Sequence, residues 1–133
     1  MVRSLKPFGF SDYNFLQLNA FCVVSDSGTL PEESAYFRSV ELEHPEKGIN
    51  SFPAVCVRTS TERPEAIDKG NFIIGSITTE QVLQAVEMAV NMQKNGDLGV
   101  PVPNYTDENV STKVVKIIQS YTGIVDHMVW RKY

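Results

Sequence analysis

The chain is poor in the residues that make metal and redox chemistry, with two cysteines and two histidines in 133 residues. Cys22 and Cys56 each sit inside an apolar run, Ala20-Phe-Cys-Val-Val and Phe52-Pro-Ala-Val-Cys-Val. They read as strand residues carrying free thiols in a reducing cytosol, because no second cysteine or histidine stands at ligand or redox spacing. His44 lies in a polar stretch and His127 near the C-terminus, neither beside a carboxylate at such spacing, so neither takes a role. No metal and no cofactor are expected. Long apolar runs are also missing: nothing approaches the ~18 residues of a membrane span, and the N-terminus has no signal-peptide core. Basic clusters are missing too. Twelve Lys and Arg stand against sixteen Asp and Glu, a net charge of −4, which excludes a protein that works by neutralising nucleic-acid phosphates. The expectation is a cytoplasmic chain with no membrane or nucleic-acid partner.

What is present suits one globular domain, with 42% hydrophobic and 21% charged residues. Short apolar runs alternate with stretches of helical periodicity. A strand is expected at 2–5, then a helix over 12–19 with Ser11 as N-cap, a buried strand at 21–25 and a helix over 30–37. Residues 38–51 are polar and broken by Pro45 and Gly48, which reads as a surface excursion. A strand at 53–58, a short helix at 64–68, a strand at 72–74 and a helix over 79–94 follow, the last marked by a Thr78-x-x-Gln81 capping box. A Gly/Pro loop leads to a last helix over 107–121, with Val110, Val114, Ile117, Ile118 and Tyr121 facing inward. Residues 122–133 carry a further apolar stripe, Ile124, Val125, Met128, Val129 and Trp130, which reads as a separate tail. Alternating strands and helices imply a parallel sheet.

Two stretches carry chemistry. A strand running into Asp26-Ser27-Gly28-Thr29 and then a helix aims backbone N–H groups and the positive helix end at the carboxyl edge of the sheet, where a diphosphate is favoured. Gly28 permits close backbone approach or positive φ, and Ser27 and Thr29 add hydroxyls. Glu32, three residues after Thr29, completes a capping box and reads as structural. Glu33 lies one turn above Thr29, where a carboxylate accepts both hydroxyls of a ribose. Arg63, held by Pro64, presents a guanidinium from a stiff turn, either to the diphosphate or sugar or to Glu62 or Glu65. Tyr13, on the first helix, is placed to cover a uracil ring or else to pack in the core.

Ser25-Asp26-Ser27-Gly28 with Glu32-Glu33, then Arg58 and Thr61-Glu62-Arg63-Pro64-Glu65, resembles the C-terminal part of the non-hydrolysing UDP-N-acetylglucosamine 2-epimerases, over about residues 5–95. The resemblance implies an α/β fold, a three-layer Rossmann-like parallel sheet forming part of the second domain of a glycosyltransferase-B-like architecture. It also implies UDP or a UDP-N-acetylhexosamine as ligand, held by Tyr13, Ser27, Gly28, Glu33 and Arg63, to which the turn itself adds the hydroxyl of Thr29. The implied reaction inverts C2 through elimination and re-addition of UDP. Thr29 departs from the family, which has a second glycine after Gly28. Tyr105-x-Asp107-x-Asn109-Val110-Ser111 and the Val129-Trp130-x-Lys132 tail look like the capsular and O-antigen branch that makes UDP-N-acetyl-L-fucosamine.

Because the family's chains run to two or three times this length, the catalytic acid and base are expected outside these residues. No catalytic residue is therefore named here. Residues 1–121 would form the UDP-binding unit, truncated on its N-terminal side, and 122–133 a tail helix docking on the missing domain or a partner. That tail, or the open sheet edge, is also a route to a homodimer. A stand-alone nucleotide-sugar binding module and part of a glycosyltransferase of the same fold are the competing readings.

Overall fold

A computed structural model describes residues 2–103 and 105–132. Nine elements follow in the order α1 (Phe10–Leu18), β1 (Val23–Ser25), α2 (Leu30–Glu43), a 3-10 turn (Pro45–Lys47), β2 (Ala54–Cys56), α3 (Pro64–Asp68), β3 (Ile73–Ile74), α4 (Thr79–Lys94) and α5 (Val110–Met128). The strands form one parallel sheet in the order β1-β2-β3, with Val23, Val24 and Ser25 in register with Ala54, Val55 and Cys56. Val55 and Cys56 pair in turn with Ile73 and Ile74.

β2 is the centre, and all three of its residues are buried. Side chains alternate across a strand, so Ala54 and Cys56 face one side and Val55 the other. On the first side they meet Leu30 and Ala35 of α2, Ala66 of α3, and Phe52, Phe72 and Val102. On the second, Val55 meets Ala85 and Ala89 of α4. The result is the expected three layers, helix on sheet on helix. Thr78 starts α4 as its spacing predicts, accepting the Gln81 backbone N–H through its side chain. Burial pushes both thiols up to about 11, so Cys56 in the core and half-buried Cys22 stay protonated at neutral pH.

Five expectations are corrected. Residues 2–9 form no strand; Val2 is 99% exposed and Leu5 65%, and without a neighbouring strand to pair with, the segment stays irregular. α1 starts at Phe10, not after Ser11, with Gly9 at its N-cap and no side-chain cap. α2 does not stop at Phe37 but continues to Glu43, with Ser39 and Val40 buried. The cause is a polar anchor. Arg38 donates from Nε to the Gly99 carbonyl at 2.8 Å and from Nη1 to Glu41 Oε2 at 2.8 Å, and Ser51 donates its hydroxyl to the same carboxylate oxygen. Finally, α5 begins at Val110 and runs unbroken through Gly123 to Met128, so no separate helix starts at 122. Val110, Val114, Ile117, Ile118 and Tyr121 do not face inward: each is 45–58% exposed.

Gly99 is fixed by close approach. At φ +83° its added Cβ would stand 2.4 Å from the Lys69 carbonyl oxygen and 2.7 Å from the Gly70 carbonyl carbon, both backbone atoms with no freedom to yield. The same crossing is sewn by Val100 N–H to Lys69 O at 3.0 Å and by Asn71 Nδ2 to Val100 O at 3.0 Å. Gly99→Ala is therefore expected to destabilise the chain by about 3 kcal/mol or more, read as a fall in the urea midpoint.

Burial alone would raise the Glu41 carboxyl, but the hydrogen bonds from Ser51 and Arg38 outweigh it and hold the group below its usual 4.5. A depressed carboxyl gives stability that is present above its unfolded value and lost as pH falls through the folded one. Glu41→Gln should thus destabilise the chain by about 1–2 kcal/mol at neutral pH. Its stability should also fall less steeply than the parent's as pH drops below about 4.5, a difference that unfolding curves across pH will show.

Candidate nucleotide-sugar site

β1 ends at Ser25, and the chain turns through Asp26 to Thr29 into α2, at the carboxyl edge of the sheet. The turn is laced by its own hydroxyls. Ser27 N–H donates to Ser25 Oγ at 3.0 Å, Thr29 N–H to Ser27 Oγ at 3.3 Å, and Thr29 Oγ1 donates to Glu33 Oε1 at 2.9 Å. Ser27 Oγ and Thr29 Oγ1 lie 2.9 Å apart. Since the threonine proton is turned to Glu33, the serine must donate in that pair. Both hydroxyl protons thus run toward one carboxylate.

The other oxygen of Glu33 leads to α1. Gln17 Nε2 stands 2.5 Å from Glu33 Oε2 and 3.0 Å from the Tyr13 hydroxyl, and donates to both. Tyr13 and Gln17 are one helical turn apart, so the same face of α1 supplies the ring and the amide. Burial, followed by the neighbouring Glu33 carboxylate, raises the Tyr13 phenol above its usual 10.0, so it stays neutral. Between α1 and α2 opens a cleft of about 640 Å³, lined by Phe10, Tyr13, Glu33, Tyr36 and Tyr105 among others. Its walls are mainly aromatic, with carboxylates at one side, which suits a flat ring carrying hydroxyls.

Four of the six residues named from sequence, Tyr13, Ser27, Thr29 and Glu33, therefore belong to one hydrogen-bonded network. Gly28 lies within the turn. Its φ is not positive, and an added Cβ would meet nothing within 4 Å, so neither backbone conformation nor packing requires a glycine there. Arg63 is placed differently. Its Nε donates to Glu32 Oε1 at 2.5 Å and its Nη1 to the Glu62 carbonyl at 3.1 Å, tying the β2–α3 connection to the start of α2.

Glu32 consequently does not close a capping box on Thr29; α2 has no side-chain cap at that residue. The carboxylate is drawn outward by the guanidinium, and both side chains of the pair are more than a third exposed. Arg58 adds a second cation to the edge, its Nε donating to the Asp26 carbonyl at 2.9 Å. Gln17 and Tyr105 were missed as site residues. The spacing from Tyr13 was the available signal for Gln17. For Tyr105 there was none, because it reaches the cleft across 40 residues by donating its hydroxyl to Glu65. Burial and that bond push the Tyr105 phenol well above its usual range, while the same bond holds Glu65 low.

The family model for UDP-N-acetylglucosamine 2-epimerase matches residues 1–119. The chain belongs to the UDP-N-acetylglucosamine 2-epimerase family. A solved structure of UDP-N-acetylglucosamine 2-epimerase from Rickettsia bellii is similar with a TM-score of 0.70 and 36% identity, over 98% of this chain and 32% of that one. The fold is accordingly the glycosyltransferase-B-like α/β type of that epimerase. Among curated relatives, a putative UDP-N-acetylglucosamine 2-epimerase of Thermotoga maritima is 26% identical over 126 residues, 94% of this chain and 30% of its own length. The UDP-N-acetylglucosamine 2-epimerase of Methanocaldococcus jannaschii is 27% identical over 94 residues, 71% of this chain and 22% of its own. The chain thus spans less than a third of the length of these relatives. Among the described residues, no helix is long and apolar enough to cross a membrane, and no group of three or more metal-ligating side chains occurs.

Gly28→Ala separates the fold from the site. With open space at Cβ and no positive φ, it is expected to leave stability within about 0.5 kcal/mol of the parent in denaturant unfolding.

Proposed function

We propose that this chain is the UDP-binding portion of a UDP-N-acetylhexosamine 2-epimerase. The observation that supports the reading is the single network joining the Ser27–Thr29 turn to Tyr13 through Glu33. A uridine diphosphate has three chemically distinct parts, and in this reading the 26–29 turn, Glu33 and the aromatic cleft each meet one of them. The phosphates meet the Gly28 turn at the start of α2, with its helix dipole and backbone N–H groups. The ribose hydroxyls donate to Glu33, whose oxygens each keep a second acceptor site. The uracil lies against Tyr13 in the aromatic cleft.

In this reading Arg63 acts at the cleft's edge, where a phosphate or sugar oxygen competes with Glu32 for its guanidinium. Ribose binding also has a consequence for the turn. When a ribose hydroxyl replaces Thr29 as donor to Glu33, the Thr29 and Ser27 protons become free to turn to a phosphate oxygen.

Inversion at C2 by elimination and re-addition of UDP requires an acid and a base within hydrogen-bond reach of the sugar. We assign those groups to the parts of the longer family chains that have no counterpart here, and assign this chain binding without turnover. The capsular and O-antigen branch, with a cytoplasmic location, is the pathway class that the 105–114 and 129–132 segments favour. The exposed apolar stripe of α5 is read as the face that docks on the remainder of such a chain; a homodimer would cover it in the same way.

Titration calorimetry tests the site. UDP is expected to bind the parent, and uridine alone more weakly. Glu33→Ala should weaken UDP by about ten- to a hundredfold through loss of charge-assisted hydrogen bonds. Gly28→Ala, folded as the parent, should lower UDP affinity while leaving uridine unchanged. Incubation of the chain with UDP-N-acetylglucosamine should give no C2 epimer; its appearance would contradict the assignment of the proton chemistry to absent residues.

A further inference from the structure

Gln17 is the one polar side chain of α1 that is fully withdrawn from solvent, at 3% exposure, and its surroundings do not favour it there. Its Oε1 is buried with no hydrogen-bond partner among the described residues, a cost that an apolar residue of the same length would not incur. Its Nε2 is fully used, with one proton on Glu33 Oε2 at 2.5 Å and the other on the Tyr13 hydroxyl at 3.0 Å. What the amide brings to this position is its pair of donors, to Glu33 and to Tyr13.

The two donors to Glu33 differ in kind. Thr29 sits on an exposed turn, and its hydroxyl can rotate away to a phosphate. Gln17 is buried, with both amide protons committed, and no ligand can recruit it. A carboxylate fixed at Oε2 from below keeps its remaining lone pairs aimed into the cleft, where two vicinal hydroxyls must both be met.

We infer that Gln17 is a positioning residue for ribose recognition: it sets the plane of the Glu33 carboxylate and ties it to the Tyr13 hydroxyl, so that the pair selects a nucleotide with both ribose hydroxyls. The inference rests on the reading of this cleft as a uridine diphosphate site. Gln17 touches no ligand atom itself. Its contribution is to selectivity between ribose and deoxyribose, more than to the strength of phosphate binding.

The test compares UDP with 2′-deoxy-UDP by titration calorimetry on the full chain. The parent is expected to prefer UDP by about tenfold or more. Gln17→Met, which keeps the volume and removes the amide donors, should lower affinity for UDP more than for 2′-deoxy-UDP. Its preference for UDP should shrink to about threefold or less. Gln17→Glu supplies a donor only when its carboxyl is protonated, so the preference should be lost at about pH 8 and return toward about pH 5. A generally loosened site would weaken both nucleotides together and show no such recovery. Gln17→Met with the parent's ratio, or equal losses for both nucleotides, overturns the positioning role. A parent that binds both nucleotides equally well overturns the ribose role of Glu33 and this inference with it. A parent that binds neither overturns the nucleotide reading itself.

Discussion

Burial of β2 on both faces is the constraint on which everything else depends. Ala54 and Cys56 press on α2 and α3 while Val55 presses on α4, so the strand has no solvent face and its register against β1 and β3 is fixed. A one-residue slip would turn Val55 toward the side filled by Leu30 and Phe52 and leave small residues opposite α4. With that register set, β1 and β2 end side by side, and the turns that follow them, 26–29 and 57–63, come to the same edge. The bond from Arg58 to the Asp26 carbonyl spans the two turns there. The core thus positions the site, although no core residue takes part in it.

Above that edge the organising group is a single carboxylate. Glu33 gathers the hydroxyls of the β1–α2 turn on one oxygen and the α1 amide on the other. It joins a helix that otherwise packs lightly to the rest of the chain. α1 has one buried residue, and that residue is Gln17. Holding this helix over the cleft is therefore as much a polar matter as a hydrophobic one. The pair Arg63 and Glu32 ties the β2–α3 connection to the start of α2 at higher exposure, where water competes for the charges.

Much of this was legible in the sequence because it is local. The strand-turn-helix at 23–33 and the capping box at Thr78 depend on residues within a few positions of one another, and both form as read. The readings that failed needed distant partners. α2 runs past Phe37 because Arg38 reaches Gly99, 61 positions away, and no periodicity reveals that. Glu32 abandons the capping box because Arg63, 31 positions on, outbids the helix start for its carboxylate. The stripe of α5 has the periodicity of a core-facing helix, yet it stays exposed among the described residues; amphipathicity states that a helix seeks a partner but not whether the same chain contains one. The six site residues were read from the strand-turn-helix at 25–33, the Arg63-Pro64 turn and the first helix, five of them matching a family pattern, and the spacing that would have added Gln17 was present four positions after Tyr13.

The central claim is that the Ser27–Thr29 turn, Glu33 and the Tyr13 face of α1 act together as one uridine diphosphate site. Backbone amide spectra of the isotopically labelled chain, recorded during addition of UDP, test it most directly. The account predicts saturable shifts concentrated at Ser27–Glu33 and on α1 around Tyr13 and Gln17, with α4 and the β3 edge unmoved. Shifts confined to α4 or the β3 edge, or none at saturating UDP, would contradict it.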